Sequence, residues 1–315
     1  MNQIKNKLSI IISVYNISRW IGECIESVKP LADKEGIEII IVNDGSTDNS
    51  VEIIKENIEG TRIKLLNKTN GGLSDARNFG AAKSSGDFIW FVDGDDFIKP
   101  EKIDLLLDNL KKDRDIIHFK FEKIDDRTKE ISKNTGWINK NNIDEKEDRD
   151  FFKKNGMETT PWTKIFNRRI FQKNSWPSIV HEDEFFLSKL FMDDNLNIYF
   201  VNDFFYRYRI NREGSIIAQT TNTKKQQQYI NNVFDFFEGL NYDDPYFIAG
   251  IYIISTKLHL LTKVQYKKFK SWIGLVINSE QFKNYFNKNK VFKIARLFLK
   301  LKLFWVFKQM LKLKK

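Results

Sequence analysis

This sequence has few cysteines, no long apolar run and no acidic residues in its C-terminal tail. Each of these absences excludes a kind of structure or function. Cys24 is the one cysteine among 315 residues, so neither an internal disulfide nor a cysteine-rich metal site is possible. No stretch reaches the ~18 uncharged apolar residues expected of a spanning helix. The apolar run in KLSIIISVYN ends at Tyr15 and Asn16, too early for a secretory signal. We therefore expect a chain that stays in the reducing cytoplasm.

The missing acids are those of the C-terminal tail. From Lys283 to Lys315 there are eleven Lys and Arg residues and no Asp or Glu, which leaves 41 of the 52 basic residues against 42 acidic ones elsewhere. The net charge of +10 is therefore carried by the tail. A nearly neutral remainder argues against a nucleic-acid-binding domain, and the tail is expected to have a partner of its own.

The tail has the pattern of an amphipathic helix over residues 291–315, VFKIARLFLKLKLFWVFKQMLKLKK. At ~100° per residue its basic residues gather on one side and its large apolar residues on the other, with Lys302 as the exception. This pattern predicts a helix lying on an anionic membrane surface, at the inner face of the cell membrane. The alternative is a helix packed on the rest of the chain or on a second subunit of a homo-oligomer.

Strand-like and helix-like segments alternate through the first 112 residues. The predicted strands are apolar runs at 8–14, 37–44, 62–67 and 87–93. The predicted helices have apolar residues at helical spacing and cover 18–28, 46–57, 73–85 and 100–112. This alternation predicts an α/β fold with a mostly parallel sheet and helices on both faces. Beyond it we expect an exposed excursion at 125–150, further strands at 192–211 and helices from about 220.

Polar clusters follow each of the four predicted strands: YN, NDGSTD, NGG and DGDD. In parallel sheets, ligands bind beyond the carboxyl ends of the strands. The coincidence predicts a binding site at that edge.

The DGDD segment places Asp93, Asp95 and Asp96 within four positions. Carboxylates this close repel one another unless a cation balances them. Two of them at i and i+2 can share Mg²⁺ or Mn²⁺, with substrate phosphates completing the coordination. A solvated turn is the alternative, because Asp-Gly also marks turns, and Asp96 in particular is expected to do no more than cap it.

Two of the other clusters suit a nucleotide. Asp44 lies just beyond a buried run, where it can accept a hydrogen bond from a base or a sugar, and residues 46–48 are predicted to cap the next helix. NGGLSDARNFG puts two glycines before a helix and Arg77 in its first turn, so that backbone N–H groups and a guanidinium can meet a phosphate. The alternative there is a plain glycine turn and a surface arginine.

A second acidic cluster, HEDEFF, contains Glu182 and Asp183. One acid near a substrate hydroxyl can act as a general base. Acids at a helix start are also favoured by the helix dipole alone, and on this segment by itself that explanation is preferred.

In this order the segments resemble a known family. SIIISVYN, IIIVNDGSTDNS, NGGLSDARNFG, GDFIWFVDGDD, HEDEFF and FYRYRINREGSI are similar in order and spacing to bacterial family 2 glycosyltransferases with the GT-A fold, of the type that builds capsules, exopolysaccharides and O-antigens. The resemblance covers residue 8 to about 217. One departure is Ser13, where the family more often has proline; it removes a rigid turn residue and leaves the chemistry intact.

The resemblance implies a role for each matching position. Asp44 would contact the nucleobase, commonly uracil, Asp95 would bind Mn²⁺ or Mg²⁺, and Asp183 would be the catalytic base. The implied nucleotide-binding residues are Val14, Tyr15, Asn16, Asp44, Gly72, Arg77 and Asp93, and the implied metal ligands are Asp95 and Asp93. Residues implied on the donor or acceptor side are Trp162, Lys164, Glu182, Arg209 and Arg212.

The implied activity is an inverting, metal-dependent transfer of a hexosyl or N-acetylhexosaminyl group. The donor would be a nucleotide-sugar, commonly a UDP-sugar, and the acceptor a polyprenyl-linked or oligosaccharide hydroxyl, giving a β-linkage. The implied domains are a GT-A domain at 1–217 (nucleotide half to about 112, acceptor half at 113–217), a helical region at 218–282 and the tail at 283–315.

Two other functions are compatible with the same pattern. A nucleotidyltransferase of the same fold agrees poorly with the late ED pair. A non-catalytic sugar-nucleotide-binding subunit that supports a partner transferase is the alternative from a different class, and the intact Asp93, Asp95 and Asp183 argue against it.

Overall fold

The computed structural model describes residues 7–134, 159–179, 182–190, 193, 195–213, 223–238, 240–241, 250–251, 254, 261–276 and 278. They fall into two units. The first unit comprises Met1–Arg149, Thr160–Ser178 and Leu196–Glu213, and the second comprises Asp150–Thr159, Ile179–Asn195 and Gly214–Lys315. Each unit is described only over the residues given above. The domain boundaries expected at residues 217 and 282 stay predictions.

One sheet of nine strands forms the framework of the first unit. The strands are β1 (Leu8–Val14), β2 (Ile37–Asn43), β3 (Lys64–Asn67), β4 (Phe88–Asp93), β5 (Phe97–Ile98), β6 (Ile116–Asp125), β7 (Ile131–Asn134), β8 (Lys164–Asn167) and β9 (Ile198–Ile210). Their order is β3, β2, β1, β4, β8, β6, β9, β5, and β7 pairs with β6. The helices of this unit are α1 (Ser18–Val28), α2 (Ser50–Ile58), α3 (Leu73–Lys83), α4 (Ile103–Asn109) and α5 (Arg169–Lys173).

The first half of the sheet is parallel, as the alternation predicted. β1 pairs in parallel with β2 and β4, and β2 with β3. All seven residues of β1 are buried, because helices cover both of its faces. Ile10 and Ile12 share a core with Ile21 of α1, while Ile11, on the opposite face, lies against Gly80 of α3. β1, β2 and β4 are therefore buried apolar runs, which explains why the sequence located them well, whereas β3 at the edge of the sheet is partly exposed.

The second half of the sheet is mixed. β8 runs antiparallel to both β4 and β6, whereas β6 and β9 are parallel. On its other side β9 pairs with β5, which places Phe97 opposite Arg207. The pairing brings the end of β9 to the acidic turn after β4. The excursion predicted at 125–150 contains the exposed strand β7, and its later residues lie outside those described.

Aromatic side chains fill the core of this mixed half. Trp162, just before β8, stacks on Tyr206 at 4.7 Å and on Tyr208 at 5.0 Å between ring centroids. Its carbonyl accepts a hydrogen bond of 2.9 Å from the indole N–H of Trp90. This stack fixes the end of β9 relative to β4.

The second unit is helical where it is described. Its helices are α6 (Glu182–Leu190), α7 (Thr223–Glu238) and α8 (Lys263–Val276), which confirms the helical character expected from about 220 for these segments. Phe234 of α7 stacks on Trp272 of α8 at 4.9 Å. Within the described ranges, no helix is both long and apolar enough to cross a membrane. The tail at 283–315 lies outside them.

Candidate active site

The carboxyl ends of β1, β2, β3 and β4 lie side by side, because these strands are parallel neighbours. Tyr15 follows β1 and is 50% exposed. Val14 is buried, and its carbonyl accepts a hydrogen bond of 2.9 Å from the backbone N–H of Asp44, which follows β2. The structure thus brings the predicted polar clusters to one edge of the sheet, where α/β folds bind ligands.

Asp44 holds the loop between β3 and α3. It is 2% exposed and accepts hydrogen bonds from Lys68 Nζ at 2.6 Å and from the backbone N–H groups of Gly71 at 3.0 Å and Gly72 at 2.8 Å. Gly72 has a φ of 87°, a conformation that favours glycine, and α3 begins directly after it. The N–H groups expected to suit a phosphate therefore bond to Asp44 here. The roles of Asp44 and Gly72 toward a nucleotide stay predictions.

Lys68 balances the charge of this loop. Its Nζ lies 2.6 Å from the Asp44 carboxylate and 2.5 Å from that of Asp75. Burial lowers the pKa of Lys68, but the hydrogen bonds to the two carboxylates outweigh burial and leave the pKa above its ordinary value. The ammonium group therefore stays charged next to Asp44.

Asp48 joins the starts of α1 and α2. Its Oδ2 accepts a hydrogen bond of 2.9 Å from the Ser18 N–H, and its Oδ1 accepts one of 3.0 Å from the Ser50 N–H. Asn16, at φ 50°, receives the Thr47 N–H on its Oδ1 at 2.8 Å. The predicted start of the second helix at residue 46 is wrong, because residues 46–49 form the loop that contacts the start of α1.

Asp93 at the end of β4 pairs with Arg77 of α3. The guanidinium donates to Asp93 Oδ1 at 3.0 Å. The Arg77 side chain is 3% exposed and the Asp93 side chain 26%. Arg77 also lies over the ring of Trp176, at 5.1 Å from its centroid. The arginine is buried, so the alternative of a surface arginine is wrong.

Asp95 pairs with Arg212, which follows β9. The guanidinium Nε contacts Oδ2 of the carboxylate. The Arg212 side chain is 17% exposed and the Asp95 side chain 14%. Burial raises the pKa of Asp95, the charge of Asp93 adds to the rise, and Arg212 opposes it. Gly94 lets this turn pack on β1, since a Cβ there would lie 2.9 Å from the Ser13 carbonyl oxygen.

Asp96 is the most buried acid of the turn, at 1% exposed. Its Oδ2 accepts a hydrogen bond of 2.7 Å from the Tyr206 hydroxyl, and its Oδ1 accepts one of 2.7 Å from the Arg209 N–H. Burial raises the pKa of Asp96 well above its ordinary value, and the charges of Asp95 and Asp93 add to the rise. Asp96 therefore does more than cap the turn, as it ties β9 to it.

Arg209 is a fully buried cation. Its guanidinium donates to the Asp95 carbonyl at 2.8 Å, to the Asp126 carboxylate at 2.7 Å and to the Glu23 carboxylate at 3.1 Å. It also lies over the ring of Phe97 at 4.4 Å. These contacts fix the acidic turn in place. A contact of Arg209 with donor or acceptor stays a prediction.

Trp162 and Lys164 are buried near β8. Trp162 belongs to the aromatic stack described above. Lys164 is fully buried, and its Nζ donates to the Thr160 carbonyl at 2.8 Å and to the Thr163 hydroxyl at 2.9 Å. Their expected contacts with substrate stay predictions.

Asp183 and Glu182 lie at the start of α6, in the second unit. Asp183 is partly buried, and its Oδ1 accepts a hydrogen bond of 2.8 Å from the Glu184 N–H. Glu184 in turn accepts one of 3.1 Å from the Tyr229 hydroxyl of α7. His181 lies outside the described residues. The role of Asp183 as a base stays a prediction.

A comparison with protein families decides which family the chain belongs to. The profile described as glycosyl transferase family 2 matches residues 9–174, which is more than half of the chain. The chain belongs to glycosyl transferase family 2.

Curated relatives of the chain are named as glycosyltransferases. This family 2 chain is 41% identical over 104 residues to Glycosyltransferase GlyA of Streptococcus pneumoniae serotype 4, and 40% identical over 120 residues to the uncharacterized glycosyltransferase EpsJ of Bacillus subtilis. The alignments cover 33% and 37% of this chain. The alignments span only 15% of GlyA and 34% of EpsJ, so most of each relative lies outside the aligned region.

Solved structures confirm the GT-A fold. Staphylococcus aureus TarS 1–349, solved with UDP-GlcNAc, superposes with a TM-score of 0.56 at 17% identity, covering 97% of this chain and 90% of that one. The mannosyltransferase PcManGT of Pyrobaculum calidifontis, solved with GDP-Man and Mn²⁺, gives a TM-score of 0.51 at 11% identity, covering 95% and 88%. At these identities the likeness establishes the fold of the family 2 chain and nothing finer.

The acidic turn of this family 2 chain fits a hard divalent cation. Mg²⁺ and Mn²⁺ are held by one or two carboxylates, with phosphates and water as the other ligands. Asp93 and Asp95 supply two carboxylates at the edge where the diphosphate is expected, and both are partly accessible. No group of three or more acidic, His or Cys ligands gathers anywhere in the described ranges.

Several residues of this site carry no sequence signal that would have revealed them. Lys68 and Asp126 lie in no motif, and Tyr206 lies in FYRYRINREGSI, where nothing singles it out. Each meets its partner across a long chain separation. The order of polar clusters after the strands predicted which edge of the sheet carries the site. Only the pairing of the strands in the mixed half shows that Arg212 faces Asp95 and that Arg209 faces Asp126.

Proposed function

We propose that this chain transfers a sugar from a nucleotide-sugar, with a UDP-sugar the expected donor, to a hydroxyl of a growing surface polysaccharide. The observation that carries the proposal is the pairing of Asp93 with Arg77 and of Asp95 with Arg212 at the sheet edge of a family 2 chain. Acids and guanidinium groups in one place suit a diphosphate and its cation. The UDP-GlcNAc in TarS and the GDP-Man in PcManGT support a nucleotide-sugar donor.

The donor is expected to lie along the edge formed by β1, β2 and β4. Asp44 and the backbone at Val14 and Tyr15 receive the nucleobase, and Asp93 faces the ribose. The Asp44 carboxylate now accepts hydrogen bonds from the N–H groups of Gly71 and Gly72. To accept one from a base as well, it has to share its oxygens between the base and these N–H groups. Nucleotide binding is therefore expected to rearrange this loop.

Arg77 and a divalent cation at the acidic turn would stabilise the charge on the leaving diphosphate. Arg77 is held in place by Asp93 and by Trp176, so its guanidinium is oriented before the donor arrives. Asp95 and Asp93 would hold Mn²⁺ or Mg²⁺, which supplies Lewis-acid stabilisation of the diphosphate when bound.

Proton transfer is assigned to Asp183. Its carboxylate removes the proton from the acceptor hydroxyl as that oxygen attacks the anomeric carbon. The bond from the anomeric carbon to the diphosphate oxygen breaks on the opposite face, and its electron pair leaves with the nucleoside diphosphate. One displacement inverts the configuration, so an α-linked donor gives a β-linked product.

Association with an anionic membrane surface is proposed for the C-terminal region. In addition to the basic tail, α8 contains no acidic residue between Lys263 and Val276 and exposes Lys263, Lys267 and Lys270. Its Val264 is 77% exposed. A basic surface with exposed apolar side chains favours anionic lipid, and a polyprenyl-linked acceptor would give this location a purpose.

The test is donor turnover. The full chain is incubated with a panel of UDP-sugars and GDP-sugars, with and without Mn²⁺, and release of the nucleoside diphosphate is measured. Metal-dependent release from at least one donor is the expected result. Tight UDP binding without turnover of any donor would contradict the proposal and favour the non-catalytic subunit.

A further inference from the structure

Three arginines surround the acidic turn, and two of them are fixed. Arg77 is 3% exposed and lies between Asp93 and Trp176. Arg209 is fully buried, with its guanidinium donating to three partners on three different elements. Neither guanidinium can leave its place without breaking hydrogen bonds that are partly buried, which costs free energy for each group left without a partner.

Arg212 is held differently. Its one carboxylate partner among the described residues is Asp95. The guanidinium lies over the ring of Trp20, 5.1 Å from its centroid, which is a cation–π contact. Its Nη1 also lies 3.5 Å from the Glu213 carbonyl, at the limit of a hydrogen bond. With 17% of its side chain exposed, against 3% for Arg77 and 0% for Arg209, Arg212 is the least buried of the three arginines.

Arg212 bonds to one of the two carboxylate oxygens that Asp95 can offer to a divalent cation. Its Nε contacts Oδ2 of Asp95, the acid that the proposed function assigns to the metal. A guanidinium and a metal ion bonded to one carboxylate oxygen repel each other at close range, so each lowers the affinity of the other. Such coupling is reciprocal.

We propose that Arg212 is the exchangeable cation of the Asp95 carboxylate. It neutralises Asp95 while donor and divalent cation are absent, and it moves to the diphosphate oxygens when the cation takes its place. A guanidinium suits this second position, because its planar array of N–H groups matches phosphate oxygens. The inference rests on the proposed function only for the identity of the ligand, a nucleoside diphosphate with its metal ion.

The proposal predicts opposite changes in two affinities. In Arg212→Ala, Mn²⁺ is expected to bind the nucleotide-free chain roughly tenfold more tightly, because its competitor is gone. UDP at saturating Mn²⁺ is expected to bind roughly tenfold more weakly, because a phosphate contact is lost. Free Mn²⁺ is followed by electron paramagnetic resonance and UDP by isothermal titration calorimetry, both on the full chain. Arg212→Gln, which keeps most of the side chain, should change both affinities in the same directions and serves if the alanine variant does not fold.

The matched control is Arg19→Ala. Arg19 lies over the same ring of Trp20 at 5.6 Å but pairs with Glu213 at 3.4 Å, so its removal should leave both affinities unchanged. General damage to the site would weaken both ligands, which separates it from the predicted opposite changes. Mn²⁺ affinity that is unchanged or weaker in both Arg212 variants, or UDP affinity that is unchanged, overturns the proposal. If both predicted changes appear but no donor is turned over, the proposed activity fails and the role of Arg212 stands.

Discussion

The Tyr206 hydroxyl donates a hydrogen bond of 2.7 Å to Oδ2 of Asp96 and accepts one of 3.2 Å from the backbone N–H of Asp93. The ring that carries this hydroxyl stacks on Trp162 at 4.7 Å. One tyrosine near the end of β9 therefore joins the aromatic core of the mixed half of the sheet to the turn that carries the candidate site.

Tyr206→Phe is expected to destabilise the protein by about 1–3 kcal/mol, because a buried carboxyl oxygen and a backbone N–H each lose a partner. The free energy of unfolding in urea measures the loss. Tyr208→Phe is the control: its ring stacks on Trp162 at 5.0 Å, and the described residues offer its hydroxyl no hydrogen bond. Equal losses in the two variants would contradict the role given to the Tyr206 hydroxyl.

Asp126→Asn tests the charge balance around Arg209. Burial of Asp126 opposes ionisation, but hydrogen bonds from Arg209, Lys129 and Trp20 outweigh burial and lower the pKa of its carboxyl to about 2. Because this folded-state pKa lies below the unfolded value of ~3.9, the carboxylate contributes stability that is complete above that value and is lost as the pH falls toward 2. The variant should be about 2 kcal/mol less stable than wild type at pH 7.

The same pKa sets how the difference changes with pH. Unfolding free energies of wild type and Asp126→Asn should converge as the pH is lowered from ~4 toward 2. Asp104→Asn, whose side chain is 77% exposed, supplies the control and should follow wild type throughout. A difference that stays constant over that interval would argue against ionisation of Asp126 as its source.

The parallel half of the fold was predictable because β1, β2 and β4 are continuous buried apolar runs, and such a run is visible in sequence without knowing its partners. The position of Asp44, Asp93 and Asp95 at or just beyond strand ends followed from it. The mixed half was not predictable in the same way, since the pairing of β9 with β6 and β5 depends on contacts between distant residues. The partners of the acids therefore stayed hidden: Arg209 and Arg212 were visible only as residues of a motif.

Asp95→Ala tests the metal assignment. The variant is expected to weaken Mn²⁺-dependent UDP binding by at least about tenfold, because the cation loses a carboxylate ligand while UDP alone keeps its other contacts. Isothermal titration calorimetry with and without Mn²⁺ measures this. Asp104→Ala should bind UDP like wild type. An unaltered response to Mn²⁺ in Asp95→Ala would exclude Asp95 as a metal ligand.

Deletion of residues 291–315 tests the membrane proposal. The full chain is expected to sediment with vesicles that contain an anionic phospholipid and to stay in the supernatant with neutral ones, since basic residues draw it to negative charge. The shortened chain, which keeps α8 but loses the tail, should sediment much less with the anionic vesicles. Unchanged sedimentation of the shortened chain would instead point to packing of the tail on the protein.

Asp183→Asn tests the central claim most directly, because it separates catalysis from binding. With a UDP-sugar that the wild type consumes, the variant should lose about a hundredfold or more in transfer rate, while its UDP affinity stays near that of wild type. Asp235→Asn, an exposed position on α7 of the same unit, should keep full activity. Transfer by Asp183→Asn at a near-normal rate would contradict the account.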